Sequence, residues 1–232
     1  MRERNVVLTL VAVWFAAAAI VGLSGVYEGA RTPVIGGSNA ALVVLSLLAI
    51  WLVPAIREGV RAIPLRWLIL FHLTRFVGIA FLVMHANGVI PSEFAITAGW
   101  GDIAVAVLAL VVAFALVPIR SRGSWWAVLA WNVFGLVDIL YVLRTGIGLG
   151  LADPAQMTWI TRFPMSLVPT FIVPLVLVTH VLIFVRLWHS PVCPWAAADE
   201  AHFDAPPPGA EDGPVAGPDA GAGSPAEADG PA

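Results

Sequence analysis

Six apolar blocks, each long enough to cross a lipid bilayer, restrict this chain to one kind of fold. They lie at about 5–24, 38–56, 66–85, 94–117, 125–143 and 163–187. At a rise of ~1.5 Å per residue, about 20 helical residues cross a hydrocarbon core of ~30 Å. Only 12% of the residues are charged, whereas a soluble domain usually has about 25%. We therefore predict an all-α, polytopic bundle of six transmembrane helices.

The arginines between the blocks indicate how the bundle is oriented. Eight of them fall on one side of a six-span chain, ahead of block one, between blocks two and three, between blocks four and five, and at Arg186. Only Arg31, Arg144 and Arg162 fall on the other side. Because basic residues are enriched in cytoplasmic loops, we expect both termini in the cytoplasm. The expected location is a bacterial cytoplasmic (inner) membrane.

Composition divides the chain near residue 190. Residues 1–190 carry the six blocks, whereas residues 191–232 contain eight acidic residues, no arginine and many Pro, Ala and Gly residues. Such a segment cannot bury enough apolar surface to fold, so we predict a disordered, acidic cytoplasmic tail. The basic start of the chain also fits a cleaved signal peptide. The first block, however, exceeds a signal core of about 7–15 residues, which favours a retained span.

The connections between blocks are short, and one has the pattern of a helix start. Asp153 and Pro154 suit the N-cap and the first helical position, so we expect a short interfacial helix that ends near Trp159. Tryptophans near the block ends are typical of a membrane-interface belt. These are Trp67, Trp125, Trp126, Trp159 and Trp188.

Arg75 is the residue that is most out of place, because it lies inside the third block. Counted along a helix, Arg75 is ~13 Å from one membrane edge, Asp102 is ~12 Å from the opposite edge, and Asp138 is ~20 Å from the first edge. All three therefore lie near the same depth. An unpaired charge there costs at least ~3 kcal/mol, so we predict that Arg75 pairs with Asp102, Asp138 or both.

The helical faces around the two aspartates favour packing against protein. Asp102 shares a face with four alanines of the fourth block, and small residues suit close contact between helices. The four are Ala98, Ala106, Ala109 and Ala113. Asp138 shares a face with Trp131, Gly135 and Tyr141. One arginine with two carboxylates leaves one acid without a counter-charge, and that acid is a candidate proton carrier.

Two histidines are candidate cofactor ligands. His72 is one turn before Arg75, and His180 reaches a similar depth on the sixth block. Two histidines at one level on different helices could ligate a haem iron or another metal. Packing histidines with hydrogen-bonded rings are the alternative. The sixth block also contains Pro164, Pro169 and Pro174, which favour either a broken helix lining a cavity or ordinary packing.

Several segments resemble an uncharacterised family of small bacterial six-helix membrane proteins. The resemblance rests on Arg75–Gly78, on 94–102, on 131–138 and on PMSLVPTFIVPLVLVTHVL in the sixth block. It covers about residues 66–187. The family has no established activity, so the resemblance implies a membrane fold and no mechanism.

Four functions remain open on this basis. The first is a proton-linked carrier of a small molecule, in which Asp102 or Asp138 takes the proton and Arg75 assists. The others are an enzyme acting on a lipid-soluble substrate with an aspartate as general acid, a b-type haem or metal protein using His72 and His180, and a structural accessory subunit. The expected partners are the bilayer, a small or lipid-soluble molecule and further copies of the chain, but no nucleic acid.

Overall fold

A computed structural model describes residues 2–194, which form helices and short connections. Six helical segments are long and apolar enough to cross a membrane, which confirms the predicted all-α, six-span fold. They cover Arg2–Leu23, Thr32–Leu52, Leu65–Ala86, Ser92–Leu116, Arg122–Ala152 and Val168–Trp188. The predicted tail falls almost entirely on residues 195–232, which lie outside the described residues.

Three of the spans change their helical geometry along their length. The α-helices are α1 (Arg2–Leu23), α2 (Thr32–Leu52), α3 (Pro54–Arg61), α4 (Leu65–Leu70), α5 (Val77–Ala86), α6 (Ser92–Val111), α7 (Arg122–Ala152) and α8 (Val173–Trp188). A 3-10 helix at Phe71–Phe76 joins α4 to α5 within the third span. Single π-helical turns end the fourth span at Val112–Leu116 and begin the sixth at Val168–Ile172.

The ends of three spans differ from the predicted ends. The second span stops at Leu52 because Pro54 opens a separate helix, α3, rather than continuing α2. The fifth continues to Ala152, well past 143, since Arg144 lies within a continuous helix. The sixth begins at Val168, after Pro164, with Pro169 in the π-helical turn.

The loop after the fifth span behaves as predicted at its start. Asp153 caps a 3-10 helix over Pro154–Thr161, and its Oδ1 accepts a hydrogen bond from the backbone N–H of Ala155. Two of the five tryptophans predicted for an interface belt do not lie on the protein surface. Trp125 and Trp159 are buried within the protein, where each indole N–H donates to a backbone carbonyl. Packing against protein therefore decides the position of these two rings.

The third to sixth spans form the buried centre of the bundle, and the second span has the fewest buried residues. The third and fourth spans meet at two glycines. A Cβ added to Gly78 would lie 2.5 Å from the carbonyl oxygen of Gly99, and one added to Gly99 would lie 3.1 Å from that of Gly78. Helix backbones can approach this closely only where neither residue has a side chain.

We predict that Gly78→Ala lowers the free energy of unfolding by about 1–3 kcal/mol, because its methyl group meets backbone that cannot move aside. Gly148→Ala is the matched control, since no atom of the described residues lies within 4 Å of a Cβ at Gly148. There the substitution should leave stability unchanged or raise it by up to about 1 kcal/mol. Unfolding in one detergent measures both, and equal effects would contradict the proposed helix contact.

Candidate functional site

A 3-10 helix in the middle of the third span positions the first two site residues. Phe71–Phe76 reads FHLTRF and contains His72 and Arg75. Side chains three residues apart eclipse each other in a 3-10 helix, so His72 and Arg75 project in the same direction. Both side chains are buried, with 0% and 1% of their surface exposed.

Arg75 binds both aspartates, as the residue depths predicted. Its Nε donates to Oδ1 of Asp102 at 2.6 Å, and its Nη2 donates to Oδ2 of Asp138. Its Nη1 donates to the carbonyl oxygen of Gly135 at 2.8 Å. The guanidinium thus joins the third, fourth and fifth spans. We call Arg75, Asp102 and Asp138 the charged cluster.

Small residues make room for the charged cluster. A Cβ on Gly101 would collide with the carboxylate of Asp138, and a Cβ on Gly78 would lie 2.9 Å from the Cβ of Asp102. The alanine face predicted around Asp102 is buried throughout, at Ala98, Ala106, Ala109 and Ala113. The face predicted around Asp138 is only partly correct. Trp131 and Gly135 are buried, whereas Tyr141 is half exposed on the outer surface of the bundle.

The two predicted histidines lie side by side behind Arg75. The ring centroids of His72 and His180 are 4.4 Å apart, and neither residue is exposed. The hydroxyl of Thr179 donates to the carbonyl of Val176, so its oxygen accepts from Nε2 of His72 at 3.2 Å. His72 therefore carries its proton on Nε2 and has a bare Nδ1.

His180 has the opposite tautomer by the same reasoning. The amide Nδ2 of Asn132 donates to the carbonyl of His180, so Oδ1 of Asn132 accepts from Nδ1 of His180 at 2.8 Å. That leaves Nε2 of His180 bare, beside Gly135. Among residues 2–194, no group forms a hydrogen bond with Nδ1 of His72 or with Nε2 of His180. Two basic nitrogens are thus buried next to the charged cluster, although burying such an atom unpaired costs about 1–3 kcal/mol.

The histidine geometry does not fit a haem held between His72 and His180. Two axial imidazoles with iron–nitrogen bonds of ~2 Å would place the ring centroids roughly 6 Å apart. At 4.4 Å the rings touch each other and leave no space for an iron and its porphyrin. Within residues 2–194, His, Cys, Asp and Glu side chains do not come together in the groups of three that would hold a metal ion.

An even number of spans puts the two ends of the described chain on one side of the membrane, which we call the terminal side. The other side is the loop side.

A cavity of about 70 Å³ lies in the loop-side half, between the second span and the third to sixth spans. Its walls are mainly apolar, although Thr32 and Asn39 also line it, and Arg75 and Asp102 form its charged end. Val168, Pro169 and Ile172 of the π-helical turn also line it, so the sixth span is a broken helix at a cavity.

A second cavity, of about 320 Å³, lies in the terminal-side half. It is lined by α3 and by the first, second, third and sixth spans, and it reaches Thr179. Thr179 forms a hydrogen bond with His72, and the ring of His72 contacts that of His180. The ring of His180 lies beside Gly135, whose carbonyl oxygen accepts a hydrogen bond from Arg75. A line of polar groups therefore runs between the two cavities.

Several residues of the site were not expected from the sequence. The histidines are held by Asn132 and Thr179, and the loop-side cavity is lined by Asn39. In the sequence, each of these is an ordinary polar residue of an apolar helix. Asn132 could have been found, because an amide within a span needs a partner and His180 is at a similar depth. Gly101 could not, since one glycine among small residues has no distinctive pattern.

Together these features define an integral membrane protein with a buried charged centre at the middle of its helices. Comparison with protein families adds one result. Residues 33–188 match the family described as Domain of unknown function (DUF8737), and the chain belongs to that family. The resemblance to an uncharacterised family is thereby confirmed. No curated protein and no solved structure matches the chain.

We predict that the two aspartates of the charged cluster require the positive charge of Arg75. Arg75→Leu leaves the buried carboxylate of Asp102 and the partly buried one of Asp138 without a counter-charge, and should cost about 3–5 kcal/mol of unfolding free energy. Replacing both acids in the same chain, by Asp102→Asn and Asp138→Asn, should restore most of that loss. Thermal unfolding in a single detergent compares the variants.

Arg61→Leu is the control for that series, because Arg61 forms an exposed ion pair with Glu58. Exposed pairs contribute less than about 1 kcal/mol, so this variant should unfold close to the unsubstituted chain. If Arg75→Leu unfolds like Arg61→Leu, the charged cluster does not hold the three spans together.

Proposed function

We propose that this membrane protein is a proton-linked carrier of a small molecule. The observation that supports the proposal most is the position of Arg75 and Asp102, which pair with each other at the charged end of a mainly apolar cavity. Ionisable residues inside a membrane usually mark a route for ions or substrates. A cavity next to such a pair gives a small molecule a place to contact it.

Asp102 is the proposed proton acceptor. The charged cluster contains one guanidinium and two carboxylates, so it has a net charge of −1 when both acids are ionised, and one proton neutralises it. Arg75 binds only Oδ1 of Asp102, so the other oxygen can take a proton while the ion pair geometry remains. Of the two acids, Asp102 lines the cavity, and proton uptake there can respond to a bound molecule.

His72 and His180 are the proposed route by which protons reach the cluster from the terminal side. Each has a bare nitrogen that can accept a proton and a second nitrogen, already protonated, that can release one. Thr179 connects this pair to the terminal-side cavity, and Gly135 connects it to Arg75. The two unpartnered nitrogens support this role, since a purely structural histidine pair would be more stable with both nitrogens bonded.

The orientation and assembly of the carrier are further parts of the proposal. The excess of arginine on the terminal side supports cytoplasmic termini in a bacterial inner membrane. Function as an oligomer is supported by the small volume that six spans enclose around the cavity.

The second candidate function is a structural role, in which the charged cluster only fixes the positions of the helices. The nearly complete burial of Arg75 favours this role.

Infrared spectroscopy of the protein in lipid nanodiscs tests proton uptake by Asp102. Lowering the pH should produce the C=O stretch of one buried carboxylic acid, because one proton neutralises the cluster. Asp102→Asn should remove this band, and Asp138→Asn should alter it. Asp153→Asn is the control, since Asp153 is an exposed N-cap outside the cluster and asparagine also caps helices.

A buried-acid band that survives Asp102→Asn would show that Asp102 is not the acceptor. If the unsubstituted protein shows no buried-acid band at low pH, the charged cluster takes up no proton. The structural role would then replace the proposed carrier function.

We also predict that the histidines control how fast the cluster is protonated. After a pH jump, His72→Gln and His180→Gln should slow the appearance of the buried-acid band on the order of 10²-fold, because glutamine cannot relay the proton as imidazole does. The final size of the band should not change. His85→Gln is the matched control, since His85 lies at the loop-side end of its span and contacts the carbonyl of Ile90. Equal rates in all three variants would exclude the histidine route.

A further inference from the structure

The size of the loop-side cavity limits the molecule that it can hold. One water molecule requires about 10–15 Å³ of cavity volume. The cavity of about 70 Å³ therefore holds a molecule of roughly five to seven non-hydrogen atoms. The walls consist mainly of aliphatic side chains with the aromatic rings of Phe81 and Phe94. The occupant is therefore a small molecule with a mostly apolar body.

Besides the hydroxyl of Thr32, which can donate or accept, the side-chain oxygens available in the cavity wall are hydrogen-bond acceptors. Nδ2 of Asn39 donates to the carbonyl of Pro169, whereas its Oδ1 accepts no hydrogen bond from residues 2–194. One oxygen of Asp102 is likewise not used by Arg75. Arg75 uses three of its five N–H groups on protein oxygens. The free amide and carboxylate oxygens thus suit a ligand that donates hydrogen bonds.

Charge leads to the same type of ligand. The titratable and charged groups around Asp102 are Arg75 and His72 on the third span, Asp138 on the fifth and His180 on the sixth. With neutral histidines these groups sum to −1, so either one proton or one monovalent cation balances them. The faces of Phe81 and Phe94 also attract cations, by about 0.5–2 kcal/mol where a ring face is within ~6 Å.

We propose that the substrate is a small alkylammonium ion, which binds Asp102 in exchange for a proton. The step is balanced: protonated Asp102 and the ammonium ion give the ionised carboxylate paired with the ammonium, and one proton leaves. This inference rests on the proposed proton-linked carrier and names its substrate class. It also explains the coupling, because the carboxylate can hold the proton or the cation but not both.

Three probes of matched size test the charge requirement: butylammonium chloride, 1-butanol and sodium butyrate. Each is adjusted to the assay pH and added to the full-length protein in weakly buffered nanodiscs with a pH-sensitive dye. Butylammonium should release up to one proton per chain, measured relative to Asp102→Asn protein. 1-Butanol and butyrate should release none, since neither brings a positive charge to the carboxylate.

A pair of adjacent glycines localises the binding. Gly36 lines the cavity, whereas a Cβ on its neighbour Gly37 would have no atom of the described part of the chain within 4 Å. Gly36→Leu fills part of the cavity and should raise the butylammonium concentration for half-maximal proton release at least about tenfold, since the cavity holds only about 70 Å³. Gly37→Leu should leave that concentration unchanged.

The outcomes separate the substrate class from the carrier proposal. If butylammonium releases no proton while the infrared band of protonated Asp102 is present, the substrate class is wrong and the proton-linked site remains. If 1-butanol releases protons equally well, the requirement for a cation is wrong. Equal responses of Gly36→Leu and Gly37→Leu would show that binding occurs outside the cavity. Absence of both the band and the release removes the carrier proposal itself.

Discussion

The arrangement of this bundle depends on one permanent positive charge in the middle of a membrane-spanning helix. An arginine side chain left unpaired in lipid costs at least ~3 kcal/mol. Asp102 and Asp138 supply the counter-charges from two other spans, and the carbonyl of Gly135 accepts a further hydrogen bond. Three helices must therefore meet at one depth. Their packing follows from that requirement as much as from their apolar faces.

The same requirement explains why small residues and irregular helix geometry gather at the centre. A guanidinium can reach two carboxylates only if the helix backbones are close, which glycines at 78, 99 and 101 permit. The 3-10 segment turns His72 and Arg75 to one side, so the histidine pair lies directly behind the cluster. Local departures from the regular α-helix thus place the polar groups, and the surrounding apolar surface holds the helices in the bilayer.

Hydropathy and depth were sufficient to predict the main features of this protein. Blocks of about 20 apolar residues leave few structures other than membrane-spanning helices, because every backbone polar group must be bonded within the lipid. Counting 1.5 Å per residue then brings Arg75, Asp102 and Asp138 to one level. Opposite charges at one depth in a medium of low dielectric constant attract strongly, so their pairing could be inferred without a structure.

Other features depend on tertiary packing and could not be predicted in this way. Trp125 is apolar enough for an interface or a core, and only its neighbours decide that it is buried. The 3-10 helix at Phe71–Phe76 could not be predicted either, because over a single turn its residue spacing differs little from that of an α-helix. The bare nitrogens of His72 and His180 follow from hydrogen bonds to residues on other helices, which a single sequence does not reveal.

Distances between labelled nitrogen and carbon atoms in a lipid bilayer test the central interaction most directly. Solid-state NMR on protein with ¹⁵N-arginine and ¹³C-aspartate measures through-space coupling between guanidinium nitrogens and carboxyl carbons. The account predicts one buried arginine coupled to two aspartate carbons, of which Asp102→Asn removes one and Asp138→Asn the other. A buried guanidinium without coupling to either carbon would contradict it, because Arg75 would then have another partner and the three spans another reason to meet.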